Sequence, residues 1–146
     1  MPGMRWRLAA SGPPRKFLLA LRSGDEVFPI IKELAGAEEL LGASITGIGA
    51  FRECEVGFYD PKIKGYVTRN LEGPLEVLSF AGNLTLNRGE PHLHAHVSLT
   101  DATWSASGGH LLSAIVEPSL ELVLTEWESH PERSLDPETG LSLIDL

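Results

Sequence analysis

Apolar positions along this chain open with one strand-like run, recur next at helical spacing and then settle into strand spacing. Arg15-Lys16-Phe17-Leu18-Leu19-Ala20-Leu21-Arg22 is a short apolar run bounded by charges, and it predicts a first strand. Ser23-Gly24-Asp25-Glu26 then reads as a capping box, the Ser23 hydroxyl accepting from the Glu26 amide while the Glu26 carboxylate reaches back. Behind it Val27, Ile30, Ile31 and Leu34 form one stripe of an amphipathic helix, with Gly36 or Gly42 as its stop. From Ser44 the texture becomes short β runs between turn signals. Ile45, Ile48 and Phe51 form one run broken by glycines, and Glu53 to Tyr59 alternates. Asp60-Pro61-Lys62-Ile63-Lys64-Gly65 is turn chemistry, and Tyr66-Val67-Thr68 resumes a strand. Leu75 to Leu86, Pro91 to Thr100 and Leu120 to Trp127 complete the set. One helix followed by six or seven strands predicts an α+β domain with an antiparallel, meandering sheet of about seven strands flanked by that helix.

Pro and Gly mark the two ends. Residues 1–14 are expected to form a flexible N-terminal arm, 15–127 the folded domain, and 128–146 an extended tail carrying Pro131, Pro137 and Gly140. At 146 residues, with 42% hydrophobic positions, the chain is long enough to bury one core. The single Cys54 excludes an internal disulfide and a thiolate cluster. No run is apolar enough for a signal peptide or a membrane span, so a reducing, cytoplasmic location without membrane contact is expected. The net charge of −8 repels phosphates and argues against direct DNA binding. Arg5/Arg7 and Arg15/Lys16 are the only basic clusters.

The suggestive chemistry lies in Pro91-His92-Leu93-His94-Ala95-His96-Val97-Ser98. On a strand, His92, His94 and His96 share one face while Leu93, Ala95, Val97 and Leu99 share the other. Two histidines two residues apart can converge on one ion, and a third ligand is needed. His110 supplies it, because Gly108-Gly109 lets its backbone approach a neighbouring strand closely. His94, His96 and His110 are therefore the candidate metal ligands, for zinc or another divalent transition metal. His92 reads as a solvated or interface residue. Ser79, Ser98, Ser105 and Ser107 lack a nucleophile-elbow setting, and no phosphate-binding fingerprint occurs. Asp101 is a turn residue first, and Trp104 reads as aromatic cover of a sheet edge. No motif names a small-molecule ligand.

The ordered set Gly73-Pro74-Leu75-Glu76-Val77-Leu78-Ser79-Phe80-Ala81-Gly82-Asn83, then the histidine strand, Asp101 and Gly108-Gly109-His110-Leu111, resembles the plants-and-prokaryotes-conserved (PPC) domain. Gly47-Ile48-Gly49-Ala50 fits the same pattern, and the likeness covers about Lys16 to Trp127. The resemblance implies a sheet of about seven antiparallel strands assembled as a homotrimer. It points to His94, His96 and His110 as a metal or ligand site. It also brings an association with DNA, since plant members follow AT-hook motifs. No Arg-Gly-Arg-Pro core occurs here. His92 and Trp104 depart from the family pattern. The expected function is a homotrimeric binding and assembly module, with enzymatic activity left open. The alternative is a metal-dependent enzyme, in which His94-x-His96 plus Asp101 resembles the cupin ligand set and His110 or His130 completes it.

Overall fold

The computed structural model describes residues 5–146. Phe17, Leu19 and Leu21 are buried on alternate positions of a strand, with charged or exposed neighbours between them. That strand, β2 (Lys16–Arg22), follows β1 (Trp6–Ala10) and precedes the helix α1 (Val27–Ala37). The remaining elements are all strands: β3 (Ala43–Asp60), β4 (Gly65–Asn87), β5 (Glu90–Thr100), β6 (Ala106–Glu126), β7 (Glu132–Asp136) and β8 (Leu141–Asp145). The α+β reading therefore stands, with eight strands rather than about seven. The sheet is mixed, because β7 runs parallel to β4 while every other pairing is antiparallel.

The path through the sheet is β1-β2-β6-β3-β4-β7-β8, with β5 bridging β4 and β6. Strands β3, β4, β5 and β6 thus form a ring in which each pairs with two others. The runs around Ile45–Phe51 and Glu53–Tyr59 are one strand, whose pairing with β4 shifts register at Gly47/Gly49 and Phe51/Glu53 and with β6 also at Gly49/Phe51 and Glu55/Val56. Glycine suits those shifts because a Cβ at Gly47 or Gly49 would collide with the backbone of β6. Residues 106–119, unassigned from sequence, are the first part of β6.

Val27, Ile30, Ile31, Leu34 and Ala35 are the buried stripe of α1. The helix packs on β5 and β6, where Leu93, Ala95, Val97 and Leu99 are buried. Burying each such side chain is worth about 1.5–3 kcal/mol. The capping box does not form: Glu26 is the N-cap and makes no side-chain cap bond, while the Ser23 hydroxyl donates to the Pro118 carbonyl. Asp25 takes the nearby role by accepting from the Arg22 amide and from Arg5. The helix ends neither at Gly36 nor at Gly42 but through Glu39, which adopts φ 50°. The Leu40 amide then reaches the Ala35 carbonyl at 2.9 Å, a Schellman closure.

Both ends of the chain differ from expectation. Of the proposed arm, residues 1–4 lie outside the described residues, while residues 6–10 form a strand. Arg5 pairs with both Asp25 oxygens at 2.7 and 3.0 Å, and Trp6 Nε1 donates to Glu38 at 2.9 Å. Partners far along the chain order this segment, and Gly12-Pro13-Pro14 merely turns it. The tail is a β7–β8 hairpin in which Pro137 and Gly140 belong to the turn. Asp136 accepts from Thr139 there, and the Tyr59 hydroxyl donates to the Thr139 carbonyl at 2.7 Å. Among the described residues no helix is long and apolar enough to cross a membrane.

Candidate metal centre

Alternation along β5 separates the site from the core. The odd positions Leu93, Ala95, Val97 and Leu99 are buried under α1, which leaves His92, His94 and His96 on the opposite face. Across the ladder His96 lies directly opposite His110 of β6, and His94 opposite Asn83 of β4. Gly108 and Gly109 make the His96–His110 pairing possible. They adopt φ +147° and +154°, and a Cβ on Gly108 would run into the Val97 carbonyl. A Cβ on Gly109 would stand 2.8 Å from the Gly57 carbonyl. The sequence expectation that two glycines draw His110 against a neighbouring strand holds.

His94, His96 and His110 converge. One ring nitrogen from each lies within 4.8 Å of the others, and the Nε2 atoms of His94 and His96 are 3.3 Å apart. Ligand nitrogens at about 2.1 Å from a tetrahedral ion stand about 3.4 Å from one another, so small ring rotations bring the set to coordination distance. The ring centroids are 5.2–5.5 Å apart, with His110 half-buried and His96 exposed. Tyr66 stacks on His110 at 4.3 Å and 17°, fixing that ring, and Tyr59 meets Tyr66 edge-on at 5.9 Å.

The donor chemistry fits a metal ion. Burial, followed by the charges of His94, His96 and His92, pushes the His110 pKa down to about 4, so its imidazole is neutral and free to coordinate. Burial and then Arg133 lower His94 as well. His110 Nδ1 is buried without a hydrogen-bond partner among the described residues, and such atoms rarely stay unmatched. Three neutral nitrogens without a thiolate or carboxylate suit zinc and its divalent neighbours.

His92 stays outside the group of three, facing Thr85 across the ladder. Asp101 is spent in its turn, where its carboxylate accepts from the Thr103 amide and hydroxyl. His130 is exposed near Glu126 and does not join the set, so the cupin-like ligand arrangement does not form. Trp104 is 88% exposed at φ 66° and covers no sheet edge. Three residues beside the centre were not legible from sequence: Tyr66, Asn83 and Arg133. Arg133 is buried and donates to Thr85, Asn83 and the Ser142 carbonyl. Its place depends on the hairpin that local patterning read as a tail.

No curated protein matches the chain in sequence. Among solved structures, a metal-containing protein from Archaeoglobus fulgidus is 33% identical, with TM-score 0.84 and full coverage of both chains. A candidate DNA-binding protein from Ralstonia eutropha JMP134 is 31% identical with TM-score 0.88, over 97% of this chain and 96% of that one. A plant- and prokaryote-conserved (PPC) protein from Pyrococcus horikoshii is 31% identical with TM-score 0.85, over 100% of this chain and 97% of its own. The model of the Plants and Prokaryotes Conserved (PCC) domain matches residues 9–128, and with the glycine-steered histidine face inside that span the chain belongs to this family.

Proposed function

We propose that this chain is a homotrimeric binding and assembly module that holds one divalent transition metal ion, zinc by donor type, on His94, His96 and His110. The observation that carries the reading is the convergence of three ring nitrogens on one sheet face, with His110 Nδ1 left without a partner among the described residues. The similar Archaeoglobus protein is itself described as metal-containing. The trimer is supported by apolar side chains that one copy leaves in water. Phe58 is 76% exposed and Ile63 63%, both at the end of the β3–β4 hairpin. Self-association is the economical way to cover them.

Direct DNA binding is not part of the proposal. The similar Ralstonia protein is described as a candidate DNA binder. In this chain Arg5 is paired with Asp25 and Arg15 with Glu126, so two members of the basic clusters are already neutralised. A net charge of −8 then leaves no driver for phosphate contacts.

A second reading, a metal-dependent enzyme, draws on the ligand count. Three protein ligands leave a fourth position for water or a ligand, and a divalent ion there supplies Lewis acidity and a more acidic bound water. The test for both begins with metal content per chain by mass spectrometry and molar mass by light scattering. One ion per chain in a particle of three 15.8 kDa chains is expected. A protein that takes up no stoichiometric zinc after incubation and dialysis would sink the metal site, and a monomer would sink the assembly reading.

A further inference from the structure

Arg133 is the one buried charged residue among those described. Its Nε donates to Thr85 Oγ1 at 2.8 Å, one terminal nitrogen to the Ser142 carbonyl at 2.9 Å, and the other to Asn83 Oδ1 at 2.9 Å. All three acceptors are neutral. Arg5, Arg15 and Arg52 each take a carboxylate, whereas no carboxylate lies within 4.0 Å of Arg133 among the described residues. Burying an uncompensated cation is costly, and folded proteins ordinarily offset it with an anion. A guanidinium has five N–H bonds, so these contacts leave one on each terminal nitrogen unused.

The placement of Arg133 gives that spare capacity a purpose. Its acceptors Thr85 and Asn83 stand directly opposite His92 and His94 across the β4–β5 ladder. Its charge is felt at both histidines, and Lys32 of α1 adds a second positive charge at His92. Three neutral imidazoles do not reduce the charge of a divalent ion, and no carboxylate joins the ligand group. Ion and guanidinium together make a strongly cationic spot in an acidic protein. Arg133 also lies beyond the matched residues 9–128, so the family pattern does not account for it.

We propose that Arg133 is an anion-binding residue of the histidine site, and that the ligand it takes beside the ion is a small carboxylate. This rests on the metal reading above. A planar carboxylate can accept from both terminal nitrogens of one guanidinium. Phosphate binding would call for more donors, such as a glycine-rich loop or a helix N-terminus, and α1 lies on the opposite face of β5.

The test uses full-length protein loaded with cobalt(II), whose visible spectrum reports a new ligand, titrated with acetate. Wild-type protein shifts on adding acetate but not on adding acetamide, which has the same shape without the charge. Arg133→Gln weakens acetate binding about tenfold or more while cobalt content stays unchanged. If Arg133→Gln does not fold, Arg133→Lys serves in its place, because it keeps the charge but loses the paired donors and should still weaken acetate several-fold. Unchanged acetate affinity in these variants, or equal response to acetate and acetamide, overturns the proposal. Tighter binding of inorganic phosphate than of acetate overturns the carboxylate assignment. If cobalt does not bind, the metal reading fails by itself, and saturation-transfer NMR of acetate with metal-free protein decides the role of Arg133. Acetate saturation lost in Arg133→Gln supports that role; no saturation, or equal saturation in both proteins, ends it.

Discussion

The histidine face and the cleft at the start of α1 carry opposite chemistry on one chain. The cleft, about 490 Å³, is lined by Glu26, Glu53, Glu55 and Glu72, with buried Cys54 at its wall and no basic residue. Glu53 and Glu72 face each other there across the β3–β4 ladder, yet among the described residues no three ligand atoms of the cleft come together. Its acids are exposed or half-exposed, and burial pushes the Cys54 thiol up to about 11, which removes it as a nucleophile near neutral pH. The histidine face brings three ring nitrogens within 4.8 Å of one another, steadied by a stacked tyrosine and bordered by a buried arginine. Two regions can thus differ in charge sign, yet only the one with ordered, mutually facing donors is a candidate site. A cleft and a density of charge are poor guides here; convergence is the better one.

The sharpest way to break this contrast is to remove ligands. The pair His96→Ala/His110→Ala should abolish stoichiometric metal binding, well beyond the roughly 10–100-fold that losing an outer-shell partner costs. Metal content after dialysis checks this, and retention of one ion per chain would move the site elsewhere. A step down in size is Gly108→Ala. The added Cβ meets the Val97 carbonyl, and φ +147° is strained for any L side chain. A loss of about 1–3 kcal/mol in urea unfolding is expected, with metal affinity falling as His110 shifts away from His96. Gly36→Ala is the matched control, because open space surrounds that position in α1, and it should stabilise by about 0.5–1 kcal/mol.

The parts of the centre that were legible in sequence are those set by local rules. Strand parity alone put Leu93, Ala95, Val97 and Leu99 in the core and His94 and His96 outside it. Gly108-Gly109 announced a close approach of His110 to a neighbouring strand, and the register puts His96 opposite it. What escaped was decided at long range. Arg133 reaches Asn83 and Thr85 across about fifty residues, and the Tyr59 hydroxyl finds the carbonyl of Thr139 eighty residues away. Short strands with Pro and Gly between them look like a tail until such partners are known. The Ser23–Glu26 box failed for a similar reason: Pro118 takes the Ser23 hydroxyl and Arg5 takes Asp25, so tertiary partners outcompeted the local cap.

Protons sharpen the comparison from another side. His110 titrates at about 4 in the folded protein against an ordinary value of 6.5. Between those values the unfolded chain binds a proton that the folded one refuses, so stability from this group is full above about pH 6.5 and is lost as pH falls toward 4. Urea midpoints of the metal-free protein should therefore decline across that window. His110→Gln should flatten the decline, since the amide does not titrate. An identical slope in the variant would mean that other groups, His92 and His94 with their own lowered values or the carboxylates, govern the acid limb.

The smallest effect belongs to the cleft. Glu53→Gln and Glu72→Gln remove two exposed acids whose side chains make no salt bridge among the described residues. The two carboxylates stand directly opposite each other on the β3–β4 ladder, so neutralising them should raise stability slightly, by about 0.5 kcal/mol or less at these exposed positions. Metal affinity at the histidine face should change less than about twofold, because exposed charges separated by more than a Debye length of about 8 Å at physiological salt are largely screened. Calorimetric titration of zinc into the double variant checks both points through its affinity and its stoichiometry. A tenfold drop in affinity, or a second weaker zinc event lost with the two glutamates, would mean that the cleft holds metal too. The distinction between converging donors and scattered acids would then have to be abandoned. An unchanged isotherm leaves a simpler rule for this fold: solvated carboxylates bind their counterions loosely, and a resident ion needs side chains that the backbone has already brought face to face.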